Sequence, residues 1–214
     1  MNYVPPFFLP MPQSAPLKRK VFISSFHANR GEVDWFIHRW TDQESVFTPK
    51  ALCTFGNDDF INSDSPEYVM GEIRRKYVGD ASVTIVLVGK CTHSRRYVDW
   101  EIKSSLRRGE SLPNGLLAYV LPSAMPSFLP VNGVVPAWDR VVWPYLPERL
   151  AVNWNYYEQQ NCYARYYTMP QSAEQLRQHI ELAFSDRTNR ARLIVNSSDM
   201  MRYSAMCKVC GVTH

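Results

Sequence analysis

The feature that most constrains the fold is a run of aliphatic and β-branched residues, Val83-Thr84-Ile85-Val86-Leu87-Val88-Gly89. A strand with one face in water alternates apolar and polar residues, and this run does not. Such a run is typical of a parallel strand that is covered by helices on both faces. We therefore predict that the chain folds around an open parallel sheet with helices on both sides.

The segments around this run alternate between strand and helix patterns. Further strands are predicted within residues 21–25, 45–54 and 116–121. Three helices are predicted between them, with Ser65 and Ser94 as N-caps of the second and third, and Gly79 ending the second. Their inward residues are Val33, Phe36, Ile37 and Trp40; then Tyr68, Val69, Ile73 and Tyr77; then Val98, Ile102 and Leu106. This order predicts a doubly wound, flavodoxin-like α/β sheet with strand order 2-1-3-4-5.

We divide the chain into a Pro-rich arm over residues 1–17, one domain over residues 18–186 and a C-terminal extension over residues 187–214. Prolines and tryptophans interrupt the pattern at about residues 122–147, where we expect a long insertion with at most one short strand near Val141-Val142. Residues 150–170 show no clean period. Residues 172–184 predict the closing helix, with four inward residues: Leu176, Ile180, Ala183 and Phe184.

Composition argues against several classes of protein. The net charge is only +4, and the basic residues occur in short pairs, so the sequence does not indicate nucleic-acid binding. Because no apolar run approaches the roughly 18 residues that span a bilayer, we expect a soluble protein without a membrane partner. The five cysteines are an odd number, and three of them are widely scattered. This usage fits reduced thiols in the cytoplasm better than a disulfide framework.

A candidate site follows from the predicted strand order. Open parallel sheets bind ligands at the carboxyl ends of the strands, where the strand order reverses. Here the reversal lies between the first and third strands, which end in Ser24-Ser25-Phe26-His27 and Gly89-Lys90-Cys91-Thr92-His93. Both segments are polar and both precede the N-terminus of a helix, which favours anionic groups. These residues therefore indicate a ligand crevice.

Three segments carry a likeness to one known family. They are Val21-Phe22-Ile23-Ser24-Ser25-Phe26-His27, the buried run from Val83 to Gly89, and Ser94-Arg95-Arg96-Tyr97-Val98-Asp99-Trp100-Glu101-Ile102. Together they resemble the TIR-like domain of the bacterial Thoeris antiphage defence ThsB family. The likeness covers roughly residues 18–121, and its most specific part is the third segment.

The resemblance implies a function in antiphage defence with NAD as the substrate and no additional cofactor. TIR enzymes cleave the bond between nicotinamide and ribose, and ThsB-type members turn the ADP-ribose part into a nucleotide signal, such as cyclic ADP-ribose, that activates an effector protein. The glutamate of the motif corresponds to Glu101, the expected catalytic residue. Many TIR enzymes complete their site from a second protomer, so self-association is expected. The expected substrate-binding residues are Ser24, Ser25, Phe26, His27, Asp58, His93, Arg96 and Trp100.

Elementary chemistry agrees with the role given to Glu101. Cleavage of a glycosidic bond to a cationic leaving group passes through an oxocarbenium-like state that a nearby carboxylate stabilises. Nicotinamide leaves as a neutral base, so no general acid is required. Glu101 lies about 10 Å along the helix from its predicted cap. It reaches the crevice only if the helix leans over the strand ends.

Simpler explanations stay open at this point. Glu101 could be a solvated carboxylate that pairs with Lys103 or Arg108, and Trp100 could be a core residue. His27, His93, Arg95 and Arg96 could be surface groups. Ser24 and Ser25 could satisfy backbone groups at the end of the strand, and Asp58 could solubilise its loop. For the whole chain, the alternatives are a non-catalytic TIR-like adaptor and a nucleotide-binding sensor.

The motif Cys207-Lys208-Val209-Cys210, with His214 after it, resembles half of a zinc site. Structural zinc sites have four ligands, and this segment supplies three at most. The sequence holds no second CxxC pair, so we predict no metal and a flexible tail. No GxGxxG or P-loop motif occurs, so the classical phosphate-binding loops are not indicated.

Overall fold

The computed structural model describes residues 18–51, 65–107, 109, 112–124, 146–154 and 161–213. Several expectations from the sequence fall outside these ranges. They concern the arm over residues 1–17, Asp58, Arg108, His214, and most of the insertion with its short strand near Val141-Val142.

A five-stranded sheet, parallel throughout, forms the centre of the fold, in the order β2-β1-β3-β4-β5. The strands are β1 (Lys20–Ser25), β2 (Thr48–Ala51), β3 (Val83–Val88), β4 (Gly115–Val120) and β5 (Arg165–Tyr167). The class and the strand order confirm the prediction from the sequence. In the register between β1 and β3, Ser24 lies opposite Val86. Because β1 has β2 on one side and β3 on the other, the strand order reverses between β1 and β3, as predicted.

The helices are α1 (Arg30–Ile37), α2 (Pro66–Ile73), α3 (Arg96–Ser105), α4 (Glu148–Val152) and α5 (Ala173–Asn189). Turns with π-helical hydrogen bonding continue α1 to Gln43 and α2 to Val78. The closing helix α5 is present as predicted and extends to Asn189. In the described part of the chain, no helix combines the length and the apolar character needed to cross a bilayer.

Strand alternation distributes the core over the two faces of the sheet. Val21 and Ile23 of β1 pack on the face that α1 and α5 cover, together with Phe36 and Ile180. Phe22 of β1 points to the other face, which α2 and α3 cover. A further cluster on that face joins β3 and β4 to α3 and α4. Both faces of β3 are buried, which is why the sequence of this strand has no polar stripe.

Two details of the helices differ from the prediction. Ser65 caps α2, accepting a hydrogen bond from the Tyr68 backbone N–H, but the Tyr68 side chain is 58% exposed and does not face the core. Ser94 does not cap α3. It lies in the preceding 3-10 turn and donates to the Cys91 carbonyl, while Arg95 occupies the cap position without a side-chain cap.

The C-terminal tail (residues 190–213) packs against α3, so the prediction of a flexible tail is wrong. The buried Arg149 guanidinium pairs with Asp99 of α3 and donates to the backbone carbonyls of Ser198 and Asp199. Asp99 also accepts a hydrogen bond from the Met201 backbone N–H. One buried ion pair thus joins α3, α4 and the tail. The sequence pattern missed this contact because it depends on charge pairing and not on periodicity.

Candidate functional site

The candidate site contains a buried contact between Ser24, near the end of β1, and Glu101, in the second turn of α3. Alternation along β1 places Ser24 on the same face as Phe22, which α3 covers. Helical spacing places Glu101 with Val98 and Ile102 on the buried side of α3. The Ser24 hydroxyl donates a 2.5 Å hydrogen bond to Glu101 Oε2. The helix therefore leans over β1, as the proposed role of Glu101 requires.

Burial dominates the electrostatics of Glu101. The residue is only 6% exposed, and removal from water raises the pKa of its carboxyl group to about 8, although the hydrogen bond from Ser24 acts in the opposite direction. Lys103 does not pair with it, because the Lys103 ammonium donates to the Ser198 carbonyl. The simpler explanation of Glu101 as a solvated carboxylate paired with Lys103 is therefore wrong.

The residues that follow Ser24 lie at the carboxyl end of β1. Ser25 is partly buried, Phe26 is buried and His27 is exposed. The Phe26 and His27 rings contact each other edge to face at 4.4 Å, and the Arg95 guanidinium lies over the Phe26 ring at 4.2 Å. The side chains of Phe26, His27 and Arg95 thus lie together just beyond the carboxyl end of β1.

Arg95 is a candidate that the sequence analysis passed over in favour of Arg96. Its Nε donates to the Cys91 carbonyl at 3.2 Å. Its Nη2 is buried and has no hydrogen-bond partner among the described residues. Burial also lowers the pKa of its guanidinium. A buried cation with an unused donor is suited to bind an anionic group.

Three of the predicted substrate-binding residues contact the C-terminal tail. Arg96 donates to the Arg202 carbonyl and lies over the Tyr97 and Trp100 rings. Trp100 packs in the core, and its indole N–H donates to the Met201 carbonyl. His93 Nε2 accepts a hydrogen bond from a tail backbone N–H, and burial lowers the pKa of its imidazole. Trp100 therefore has the core position that the sequence left open as its alternative.

A polar network absent from the sequence predictions joins the ends of β1, β3 and β4. Glu32 accepts hydrogen bonds from the Ser123 backbone N–H at 2.8 Å and from its hydroxyl at 2.6 Å. The Asn29 amide lies within reach of both residues. Gly89 ends β3 here, and any Cβ at this position would collide with the Asn29 amide. A side chain at position 89 would therefore require the Asn29 amide to move away.

The structure contains a cavity of about 250 Å³ beside α3, lined by His93, Arg95, Asp99 and Arg149 among others. Another, of about 360 Å³, lies between Arg19 and α5. Neither cavity includes Glu101. A single pocket shared by Glu101 and the residues after Ser24 stays a prediction, and Asp58 lies outside the described residues.

Comparison with known proteins gives one family. Residues 22–118 match the model described as Thoeris protein ThsB, TIR-like domain. No curated protein matches the chain. The match runs from β1 into β4, so it includes Ser24 and Glu101 and ends before α4, β5, α5 and the tail. With the strand order 2-1-3-4-5 and a glutamate against the end of β1, residues 22–118 are thus similar in sequence and in fold to the TIR-like domain of the Thoeris protein ThsB.

Proposed function

We propose that this protein is an NAD-consuming enzyme that breaks the bond between nicotinamide and ribose. It then converts the ADP-ribose part into a nucleotide signal, with a cyclic ADP-ribose as the product class. The observation that carries the proposal is the Glu101 carboxyl group, which is buried, bonded to Ser24 and without an ionic partner among the described residues. Strongly perturbed carboxyl groups of this kind concentrate at functional sites. The family match supports the reaction class.

The proposed chemistry needs one carboxylate. The C–N bond breaks and its electron pair leaves with nicotinamide, which departs as a neutral base. The ribose carbon carries the developing positive charge, and the Glu101 carboxylate stabilises it or holds the ribose hydroxyls. A nucleophile of the remaining ADP-ribose then attacks this carbon and loses its proton, which closes the ring. Water in place of that nucleophile gives free ADP-ribose.

Glu101 has to be ionised and accessible for this reaction. At 6% exposure it meets the substrate only when the crevice between β1 and α3 opens. The nicotinamide ring of NAD carries a positive charge, and a cation next to the carboxyl group favours its ionised form. Binding of NAD therefore supplies a positive charge that favours the ionised Glu101 carboxylate.

Arg95 is the cation proposed to bind the diphosphate of NAD. Its guanidinium lies over Phe26, two residues after Ser24, and its Nη2 has no partner in the described part of the chain. Arginine matches the phosphate group in geometry and charge. Ser25 and His27, at the same strand end, stay proposed contacts for the ribose. Because Trp100 packs in the core, we assign it no contact with substrate.

The second candidate function is a non-catalytic adaptor that works through self-association or through a partner protein. The burial of Glu101 favours this alternative, since a carboxyl group that is closed off from solvent has no direct route to substrate. Under the enzymatic proposal, self-association completes the site and the nucleotide product activates an effector. No cofactor besides the substrate NAD is invoked, and the cytoplasm supplies that NAD.

The deciding experiment measures nicotinamide release from NAD by chromatography. It uses the full chain, purified and also expressed in cells infected by phage, because TIR enzymes respond to a trigger. Wild-type protein is expected to release nicotinamide and Glu101→Gln is not. Glu174→Gln, on the exposed start of α5, is the matched control. NAD levels that stay constant in infected cells expressing the folded wild-type protein would overturn the proposal and support the adaptor.

A further inference from the structure

Three cysteines from distant parts of the chain meet at one point beside α3. Cys91 belongs to the loop after β3, and Cys207 and Cys210 belong to the tail. The Cys91 sulfur lies 3.1 Å from that of Cys207 and 3.5 Å from that of Cys210. All three sulfur atoms lie within 4.8 Å of one another. The sequence prediction considered only ligands in the tail and did not include Cys91, which is 116 positions away from Cys207.

The backbone of the tail holds the two cysteines of the CxxC motif on the same side of a tight turn. Gly211 N–H donates to the Cys207 carbonyl at 2.9 Å, and Gly211 has a φ of +71°, which glycine adopts without strain. Cys207 N–H donates to the Val212 carbonyl at 3.0 Å, and Met206 pairs with Thr213. The Val209 N–H points at the Cys207 sulfur, at 3.4 Å. A backbone N–H directed at sulfur stabilises the thiolate form.

We propose that Cys91, Cys207 and Cys210 bind a zinc ion that fastens the tail to the loop after β3. Thiolates are soft ligands, and zinc binds them at about 2.3 Å in a tetrahedron. That geometry places neighbouring sulfurs roughly 3.8 Å apart. The observed separations of 3.1 and 3.5 Å require the sulfurs to move apart by roughly 0.7 and 0.3 Å.

His93 is the proposed fourth ligand. Its Nε2 accepts a hydrogen bond from the Lys208 backbone N–H at 3.1 Å, and Lys208 lies between the two tail cysteines. The ring has to turn from this bond towards the sulfurs to bind the ion, because, among the described residues, only the three cysteine sulfurs form the group of ligand atoms within 4.8 Å of one another. Loop and tail then contribute two ligands each: Cys91 with His93, and Cys207 with Cys210. Cys₃His is a common ligand set of structural zinc sites. The ion offsets two of the three negative charges that three adjacent thiolates would carry.

A disulfide is the competing explanation for the close sulfurs, and the geometry favours the metal. A disulfide joins two sulfurs and leaves the third without a role, whereas here all three converge.

A zinc ion at this point would also affect the proposed ligand crevice at the carboxyl ends of β1 and β3. The loop that carries Cys91 begins at the end of β3, and the Cys91 carbonyl accepts the hydrogen bond that holds Arg95 over Phe26. The ion would keep this loop in place.

The test is the metal content of the full-length protein, purified without chelator and dialysed, and measured by mass spectrometry of the elements. One zinc per chain is expected. Cys91→Ser and Cys207→Ser are expected to lose it, while Cys162→Ala, with its cysteine in the core next to Ala164, keeps it. His93→Ala is expected to bind zinc more weakly.

Titration of the metal-free wild-type protein with Co²⁺ tests the same site without any variant. An intense near-ultraviolet band from thiolate-to-cobalt charge transfer is expected, together with visible bands of tetrahedral coordination. The proposal is overturned if the reduced, folded wild-type protein holds no zinc and shows no such band. It is equally overturned if the protein purified under reducing conditions has Cys91 and Cys207 joined in a disulfide. None of these readouts depends on NAD cleavage.

Discussion

The Ser24 hydroxyl donates a 2.5 Å hydrogen bond to the Glu101 carboxyl group, across 77 positions of the chain. Two opposing effects act on this carboxyl group. Burial removes it from water and raises its pKa, while the hydrogen bond from Ser24 favours the ionised form. The effect of burial is the larger of the two, so the pKa of Glu101 lies at about 8. Glu101 is therefore mainly protonated at neutral pH.

Glu101→Gln is expected to reduce nicotinamide release by ~10²–10³-fold, because it deletes one preorganised charge that faces the ribosyl cation. The amide keeps the size of the side chain and can still accept the hydrogen bond from Ser24, so the circular dichroism spectrum should not change. The measurement is NAD turnover under activating conditions, with Glu174→Gln as the control. Wild-type turnover in the Gln variant would rule Glu101 out as the catalyst.

The same carboxyl group gives the folding stability a pH dependence. Its pKa is raised in the folded protein, so its contribution is fully present below about pH 4.5, the ordinary pKa of glutamate, and is lost as the pH rises through about 8. Within that window the loss from this group amounts to roughly 1.4 kcal/mol per pH unit. We expect Glu101→Gln to unfold at higher urea concentration than wild type at pH 8, and the gap to shrink at pH 5. An equal gap at both pH values would contradict the assignment.

Ser24→Ala should move the pH profile of the enzyme. Ser24 lowers the pKa of Glu101, so its removal raises that pKa and reduces the ionised fraction at neutral pH. The limb of kcat/KM that rises with pH should therefore shift to higher pH, while the activity plateau above it falls less. Ser185→Ala, on the exposed side of α5, serves as the control. A uniform loss of activity at every pH would mean that Ser24 has only a structural role.

Two kinds of pattern carried most of the fold prediction. Helix α5 shows a period of 3.6 residues, whereas β1, β3 and β4 are short continuous apolar runs between polar segments, as expected for strands buried on both faces. β5 has three residues, all partly exposed at the edge of the sheet, and so short a segment shows no period. The contact of Ser24 with Glu101 agrees with alternation in β1 and helical spacing in α3, but the sequence alone did not say which residues pair.

Other parts of the site depend on single-residue register or on distant contacts. Arg95 and Arg96 are adjacent, and successive residues at a helix start point about 100° apart. One of them therefore lies over Phe26 while the other meets the tail. Cys91 and Cys207 approach each other only because the tail packs along α3, and local patterns do not encode that contact.

Arg95→Ala is expected to raise the KM for NAD by roughly 10–100-fold, the value of one charge-assisted hydrogen bond to phosphate at ~1.5–3 kcal/mol. The effect on kcat should be smaller, because the diphosphate is bound in both the ground state and the transition state. Arg192→Ala, on an exposed turn of the tail, is the control. An unchanged KM would remove Arg95 from the substrate site.

The ion pair of Asp99 with Arg149 is expected to anchor the tail. Asp99→Asn leaves the buried guanidinium without its counter-charge and weakens the bond to the Met201 N–H, so a loss of about 3–5 kcal/mol of unfolding free energy is expected. Asp80→Asn, which breaks solvent-exposed pairs with Lys20 and Lys50, should leave the unfolding free energy close to that of wild type. Urea unfolding at pH 7 measures the unfolding free energy of both variants.

Limited proteolysis should also cut the tail of the Asp99 variant faster than that of wild type. If the two variants lose the same small amount of stability and their tails resist protease equally, the tail is held mainly by its other contacts, among them the hydrogen bond from the Trp100 indole.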